Sequence, residues 1–139
     1  MSAITFDTGV VNYTINGKTE VQFNPTDSAF VEKLFNTFEI LDQKQEAYSE
    51  EVARTADKKQ IFELARKMDA EMRTMIDVLF DTPVCAEIFG NMNVYALADG
   101  LPVWSNLMLA IMEEIDTSFA REQKATNPRI AKYTAKYHK

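Results

Sequence analysis

Two long runs of apolar residues at alternating spacings of four and three occupy the middle of this 139-residue chain. Leu34, Phe38, Leu41, Gln45, Tyr48 and Val52 make the first; Ile61, Ala65, Met68, Met72, Met75 and Leu79 make the second. That spacing keeps side chains on one stripe of an α-helix and excludes a strand, whose faces alternate with every residue. Such a stripe has to be covered. The short stretch 53–59 between the runs carries no seam and reads as a turn, so the two helices are expected to fold back on each other as an antiparallel pair. Gln45 interrupts the first seam. A polar residue there costs stability but can fix register between helices, and self-association through helical faces is one expectation.

Before the seams, Val10 to Ile15 and Lys18 to Phe23 alternate and are rich in β-branched residues. Asn16-Gly17 between them supplies the two positive-φ positions of a type I′ turn, which predicts a β-hairpin. Tyr13, Ile15, Val21 and Phe23 would share one face, and Ile4-Thr5-Phe6 is a candidate third short strand. Asn24 and Pro25 read as cap and first residue of the next helix, with Asp27 in its first turn. After the second seam, Thr82-Pro83 opens a short helix carrying Val84, Cys85, Ile88 and Phe89, which Gly90 stops. A connector with one helical turn around Tyr95-Ala96-Leu97 leads to Pro102. The last helix has a broad apolar face of Val103, Trp104, Leu107, Met108, Ile111, Met112, Ile115 and Phe119, as befits a central element. The expected fold is mainly α: a small helical bundle of two long antiparallel helices, one short and one central long helix, with an N-terminal β-hairpin. Residues 1–127 form one globular domain and 128–139 a basic C-terminal tail.

Charge divides unevenly along the chain. Residues 1–120 carry 9 Lys and Arg against 20 Asp and Glu, whereas residues 121–139 carry 6 against 1. An acidic body with a basic end argues against a nucleic-acid partner, whose phosphates call for Lys and Arg spread over a folded face. Instead, Arg129, Lys132, Tyr133, Lys136 and Tyr137 are candidates for contact with an acidic surface on a neighbouring subunit or partner. The longest apolar run, Leu107 to Met112, is far short of the ~18 residues that mark a membrane span. One cysteine, Cys85, permits no internal disulfide and fits a reducing cytoplasm.

Catalytic patterns are hard to draw. The sole histidine, His138, is penultimate, where no rigid shell can hold a general base. Cys85 falls on an apolar helix side, as a small buried hydrophobe does. One His and one Cys build no zinc site. Glu113, Glu114 and Asp116 point in different directions around a helix, and four scattered glycines make no phosphate loop. The chain therefore reads as non-enzymatic, without metal or cofactor. Seven methionines, with Met68, Met72 and Met75 on one seam, either fill core gaps or line an adaptable groove for a helical partner. The hairpin face of Tyr13, Ile15, Val21 and Phe23 is the other candidate partner surface.

The segments FDTGVVNYTINGK, FNPTDSAFVEKLFNTFE, MNVYALADGLPVW and IDTSFAREQKATNPRIAKYTAKYHK resemble a family of small uncharacterised proteins encoded in phages and prophages of Firmicutes. Over roughly the first forty residues the layout is also similar to that of phage tail assembly chaperones: strand, NGK-type turn, strand, then helices, as in YTINGKTEVQF followed by NPTDSAFVEKLF. That resemblance implies a protein that binds the tape-measure protein and keeps its long apolar helices in solution before the tail tube polymerises. Two other classes stay open. One is a structural virion component, such as a head–tail connector or minor tail protein; the other is a nucleic-acid-binding regulator using the basic tail.

Overall fold

The computed structural model describes residues 1–125 and Lys132. Its elements run β1 (Val11–Ile15), β2 (Thr19–Phe23), α1 (Ser28–Arg54), α2 (Lys58–Phe80), α3 (Cys85–Phe89), β3 (Leu97–Ala98), β4 (Leu101–Pro102) and α4 (Val103–Lys124). It is a mainly helical fold of three long helices and one short one with an N-terminal β-hairpin.

Asn16 and Gly17 both take left-handed φ, 51° and 67°, and the Lys18 N–H donates to the Ile15 carbonyl at 3.0 Å. The strands, however, pair Ile15 with Thr19 and Tyr13 with Val21. Three residues therefore separate the paired strands, and Lys18 belongs to the connection instead of opening the second strand. The extra residue has a purpose legible in the pattern: pairing Ile15 with Lys18 would set Tyr13 opposite Glu20 and divide the apolar residues between faces. With Lys18 left out, Tyr13, Ile15, Val21 and Phe23 do share one face. Residues 4–6 form no strand.

The hairpin is held by a run of rings. Tyr13 stacks on Phe23 at 4.6 Å, Phe23 on Phe30 of α1 at 4.3 Å, and Phe30 lies 6.5 Å from Phe80 of α2. A two-stranded sheet is marginal in water, and this stack supplies the covered face it needs. The start of α1 differs from the expectation. Asn24 caps the turn before the helix, accepting from the Thr26 N–H and hydroxyl, while Asp27 is the helix cap, accepting from the Ala29 N–H at 3.0 Å. Pro25 thus precedes the helix by three residues.

Asp57 caps α2 in the same way after the turn at residues 55–57. The two seams face each other, with Leu34 and Leu41 of α1 and Met72, Ile76, Leu79 and Phe80 of α2 buried. No residue beyond Leu41 on α1 or before Met72 on α2 is buried, so the far ends of the pair protrude from the core. The central helix is α4, whose Trp104, Leu107, Met108, Ile111 and Ile115 lie inside. Phe119 is an exception to the expected apolar face: it is exposed. Trp104 donates its indole N–H to Gln45 Oε1 at 3.0 Å, so the polar seam residue registers α4 against α1 within the chain.

The connector from α2 to α4 departs most from expectation. Thr82 does not cap the short helix; the N–H groups of Val84 and Cys85 both donate to Asp77 Oδ1 of α2 at 2.9 Å. Residues 95–97 form no helical turn. Asn93 holds a tight turn by accepting from the Tyr95 N–H, and Asp99-Gly100, at φ 56° and 80°, closes a two-residue hairpin between β3 and β4. Asp77→Ala should remove the acceptor for both α3 N–H groups and lower stability by about 2–3 kcal/mol. The urea midpoint would fall with an unchanged m-value, and Asp77→Asn, which keeps an acceptor oxygen, should lose less.

Candidate functional site

An apolar cleft opens where the turn end of the hairpin meets α3 and the first half of α4. It encloses about 390 Å³ between Ile15 and Asn16 on one side, Ile88, Phe89 and Met92 on another, and Leu107 of α4 as floor. A second hollow of about 220 Å³ continues it under the hairpin, sharing Ile15, Asn16, Leu107 and Ala110 and ending at Tyr13 and Glu114. Val103, Leu107, Ala110, Ile111 and Glu114 are one helical stripe, so the combined groove follows α4 for about 17 Å, or three turns.

Each wall has an identifiable cause. The hairpin wall is set by the ring stack and by the Tyr13 hydroxyl donating to Glu114 Oε1 at 3.2 Å. The opposite wall depends on α2, where Asp69, Arg73 and Asp77 line up one turn apart. Arg73 pairs with Asp69 at 3.0 Å and donates to the carbonyls of Gly90 at 2.8 Å and Met92 at 2.6 Å. Asp69 in turn accepts from the Val94 N–H at 2.7 Å, and Asn93 donates to the Ala65 carbonyl. These bonds fix the backbone of residues 90–94 and with it the Met92 side chain at the mouth of the cleft.

Burial, with a smaller contribution from Glu114, raises the Tyr13 phenol above its ordinary range, so it is neutral at pH 7. Cys85 is buried, and its thiol donates to the Arg73 carbonyl at 3.6 Å. Burial first and Asp77 second push that thiol far up, keeping it protonated and unreactive. Tyr95 stacks on Tyr48 at 4.3 Å, and its hydroxyl is buried without a hydrogen-bond partner among the described residues; burial raises it strongly too. No cluster of three or more His, Cys, Asp or Glu suited to a metal ion occurs among the described residues. No helix of the described residues is long and apolar enough to cross a membrane.

The residues singled out from sequence fall into three places. Tyr13, Ile15, Val21 and Phe23 all border the second hollow, with Val21 and Phe23 buried and Tyr13 and Ile15 half-buried. Met68, Met72 and Met75 lie on the α1-facing side of α2, remote from this groove; Met72 is fully buried, and the other two are half-buried. Met72 belongs to the core and Met75 packs against it, and none of the three lines the groove beneath the hairpin. Of the basic group, Lys132 is exposed and helical, while Arg129, Tyr133, Lys136 and Tyr137 lie outside the described residues, as does the boundary placed at 127–128. Sequence reading missed Met92, Ala110 and the Asp69–Arg73–Asp77 stripe. The i, i+4, i+8 spacing of alternating charge was the available signal for the stripe. The chain matches no family model, no curated protein and no solved structure.

Cys85 and Tyr95 also predict an alkaline limit to stability. Unfolded, they ionise from their ordinary values of 9.0 and 10.0; folded, both stay protonated well beyond those values. The native state then binds more protons than the unfolded one above pH 9. Stability from this source is complete below pH 9 and is lost as pH rises. For buried Cys85 alone the slope is about 1.4 kcal/mol per pH unit. Urea unfolding between pH 8 and 10 should show the decline, and Cys85→Ala should flatten its first part.

Proposed function

We propose that this chain is a non-enzymatic protein-binding factor that receives an apolar segment of a protein partner in the groove between the hairpin and α4. The observation that carries this reading is the groove itself: three turns of α4 floored by Leu107, Ala110 and Ile111 and walled by Ile15 and Met92. A helix-in-groove partner reads such a surface through a few apolar anchors at helical spacing. Polar groups at its edges, Asn16, Lys18 and Asn106, would orient the bound segment. The layout's resemblance to tail assembly chaperones supplies the partner class: the tape-measure protein, whose long apolar helices need cover before the tail tube forms. An acidic body, net −6 over the whole chain, suits that task by keeping the complex soluble.

Co-expression with the tape-measure protein of the same prophage tests the reading. The partner should become soluble and co-purify, and Ala110→Glu, an exposed position on the groove floor, should abolish both effects with helical circular dichroism unchanged. A partner that stays insoluble, with this chain present as a stoichiometric band in finished particles, would replace the chaperone with a structural virion component.

A further inference from the structure

We infer that Met92 is an oxidant-sensitive site at the mouth of the groove, where a hydroperoxide, by converting its thioether to a sulfoxide, closes the groove to an apolar segment. The inference rests on the binding role proposed for that groove and adds a reversible control to it. Of the seven methionines, Met72 and Met108 are fully buried, and Met68, Met75 and Met112 are half-buried. The two exposed ones are Met1, at the start of the chain, and Met92, which is 52% exposed and lines the cleft. A dilute oxidant therefore meets Met92 ahead of every methionine in the helices. Cys85, the remaining sulfur, is 1% exposed, and burial together with Asp77 keeps its thiol protonated, so it does not compete.

Met92 is exposed yet held in place. Its N–H donates to the Phe89 carbonyl at 3.0 Å, and its carbonyl accepts from Arg73 at 2.6 Å. Gly90 and Val94 on either side are bonded to Arg73 and Asp69 of α2. The backbone thus cannot swing a modified side chain away without breaking those bonds. In the oxidation itself the peroxide O–O bond breaks and one oxygen bonds to Sδ; with hydrogen peroxide the other leaves as water. Sulfur gives up the two electrons that the peroxide gains. The product carries a strong acceptor oxygen beside Ile15, Phe89 and Leu107. Covered by an apolar segment, that oxygen loses water and gains no donor, which weakens binding about tenfold. The donors in the cleft, Asn16, Lys18 and Asn106, are the groups that orient the bound segment, so a sulfoxide that takes one of them competes with it. Methionine sulfoxide reductases remove the oxygen as water at the expense of a dithiol and return the apolar thioether.

Graded hydrogen peroxide on the full chain gives the test, with the sulfoxide fraction at each methionine read by peptide mass spectrometry. Met92 and Met1 should convert first, with helical circular dichroism unchanged. The groove is probed by fluorescence titration with anilinonaphthalene sulfonate, an apolar dye whose binding Ala110→Glu should abolish. Dye affinity of the wild type should fall about tenfold as Met92 converts and recover after treatment with the reductases. Met92→Leu, compared with its own untreated level, should not respond to the same dose although its Met1 is oxidised. Met92→Gln, which places a polar group there permanently, should bind the dye as weakly as the oxidised wild type. The inference is overturned by conversion of Met68, Met75 or Met112 as early as Met92, by undiminished dye binding in the treated wild type, or by an equal fall in treated Met92→Leu. Dye binding that ignores Ala110→Glu would instead remove the groove as a binding site, and with it the proposed function.

Discussion

Everything on the α3 side of the molecule depends on one stripe of charge along α2. Asp69, Arg73 and Asp77 direct five hydrogen bonds at the backbone of residues 84–94, where regular structure is sparse. A connecting segment laid over a core leaves N–H and C=O groups that need partners, and water is excluded from some of them. The stripe provides both signs in the needed order: a carboxylate for the first N–H groups of α3, a guanidinium for the carbonyls after it, and a second carboxylate for the Val94 N–H. Because α2 is rigid, the connector inherits its rigidity. The Arg73–Asp69 pair is mostly buried, at side-chain exposures of 19% and 20%, so loss of either partner would strand a charge. Hydrophobic packing alone would hold α3 near the core without fixing its orientation.

Periodic features were readable in advance, and features that depend on contact between distant segments were not. Two seams and an Asn-Gly turn are local patterns, and they place the helix pair and the first hairpin. Their details shift where a neighbour intervenes. Lys18 leaves the strand because the apolar face must be kept whole, and Asn24 gives up the helix cap to Asp27 because its side chain already bridges Thr26 and Thr8. Asp99-Gly100 was a missed local signal, since that dipeptide favours a tight hairpin as strongly as Asn16-Gly17 does. Asp77 as cap to α3 lies seven and eight residues upstream, beyond any local capping pattern.

The same division runs through the site. The hairpin face could be named from alternation, and four of its residues do border the groove. The methionines could be named from composition, yet composition does not say which side of a helix meets another. Met72 shares its stripe with Ile76 and Leu79, and all three are buried in the core. Gln45 illustrates the point from the polar side: its partner is an indole 59 residues away, and only the folded arrangement of α1 and α4 makes that bond. The groove itself is a difference between surfaces from four elements, β1, α3, β3 and α4, and no one segment carries its signature.

Under the proposed function, that composite origin would tie binding in the groove to the stability of the hairpin. The hairpin rests on the body through the Tyr13–Phe23–Phe30 stack and the Tyr13–Glu114 bond, with both strand edges open. A segment seated beneath it would touch Ile15 and Leu107 together, adding contacts between two elements that otherwise meet along a hollow. Anything that binds the closed arrangement and not the detached one stabilises it by mass action, by about 2.7 kcal/mol at a hundredfold excess over its dissociation constant. Occupancy of the groove and order in the hairpin are therefore linked quantities. Under the proposed function, a wall made of a marginal two-stranded sheet would give the groove a width that an occupant helps to set, which would suit apolar segments of differing sequence better than a ligand of one fixed shape.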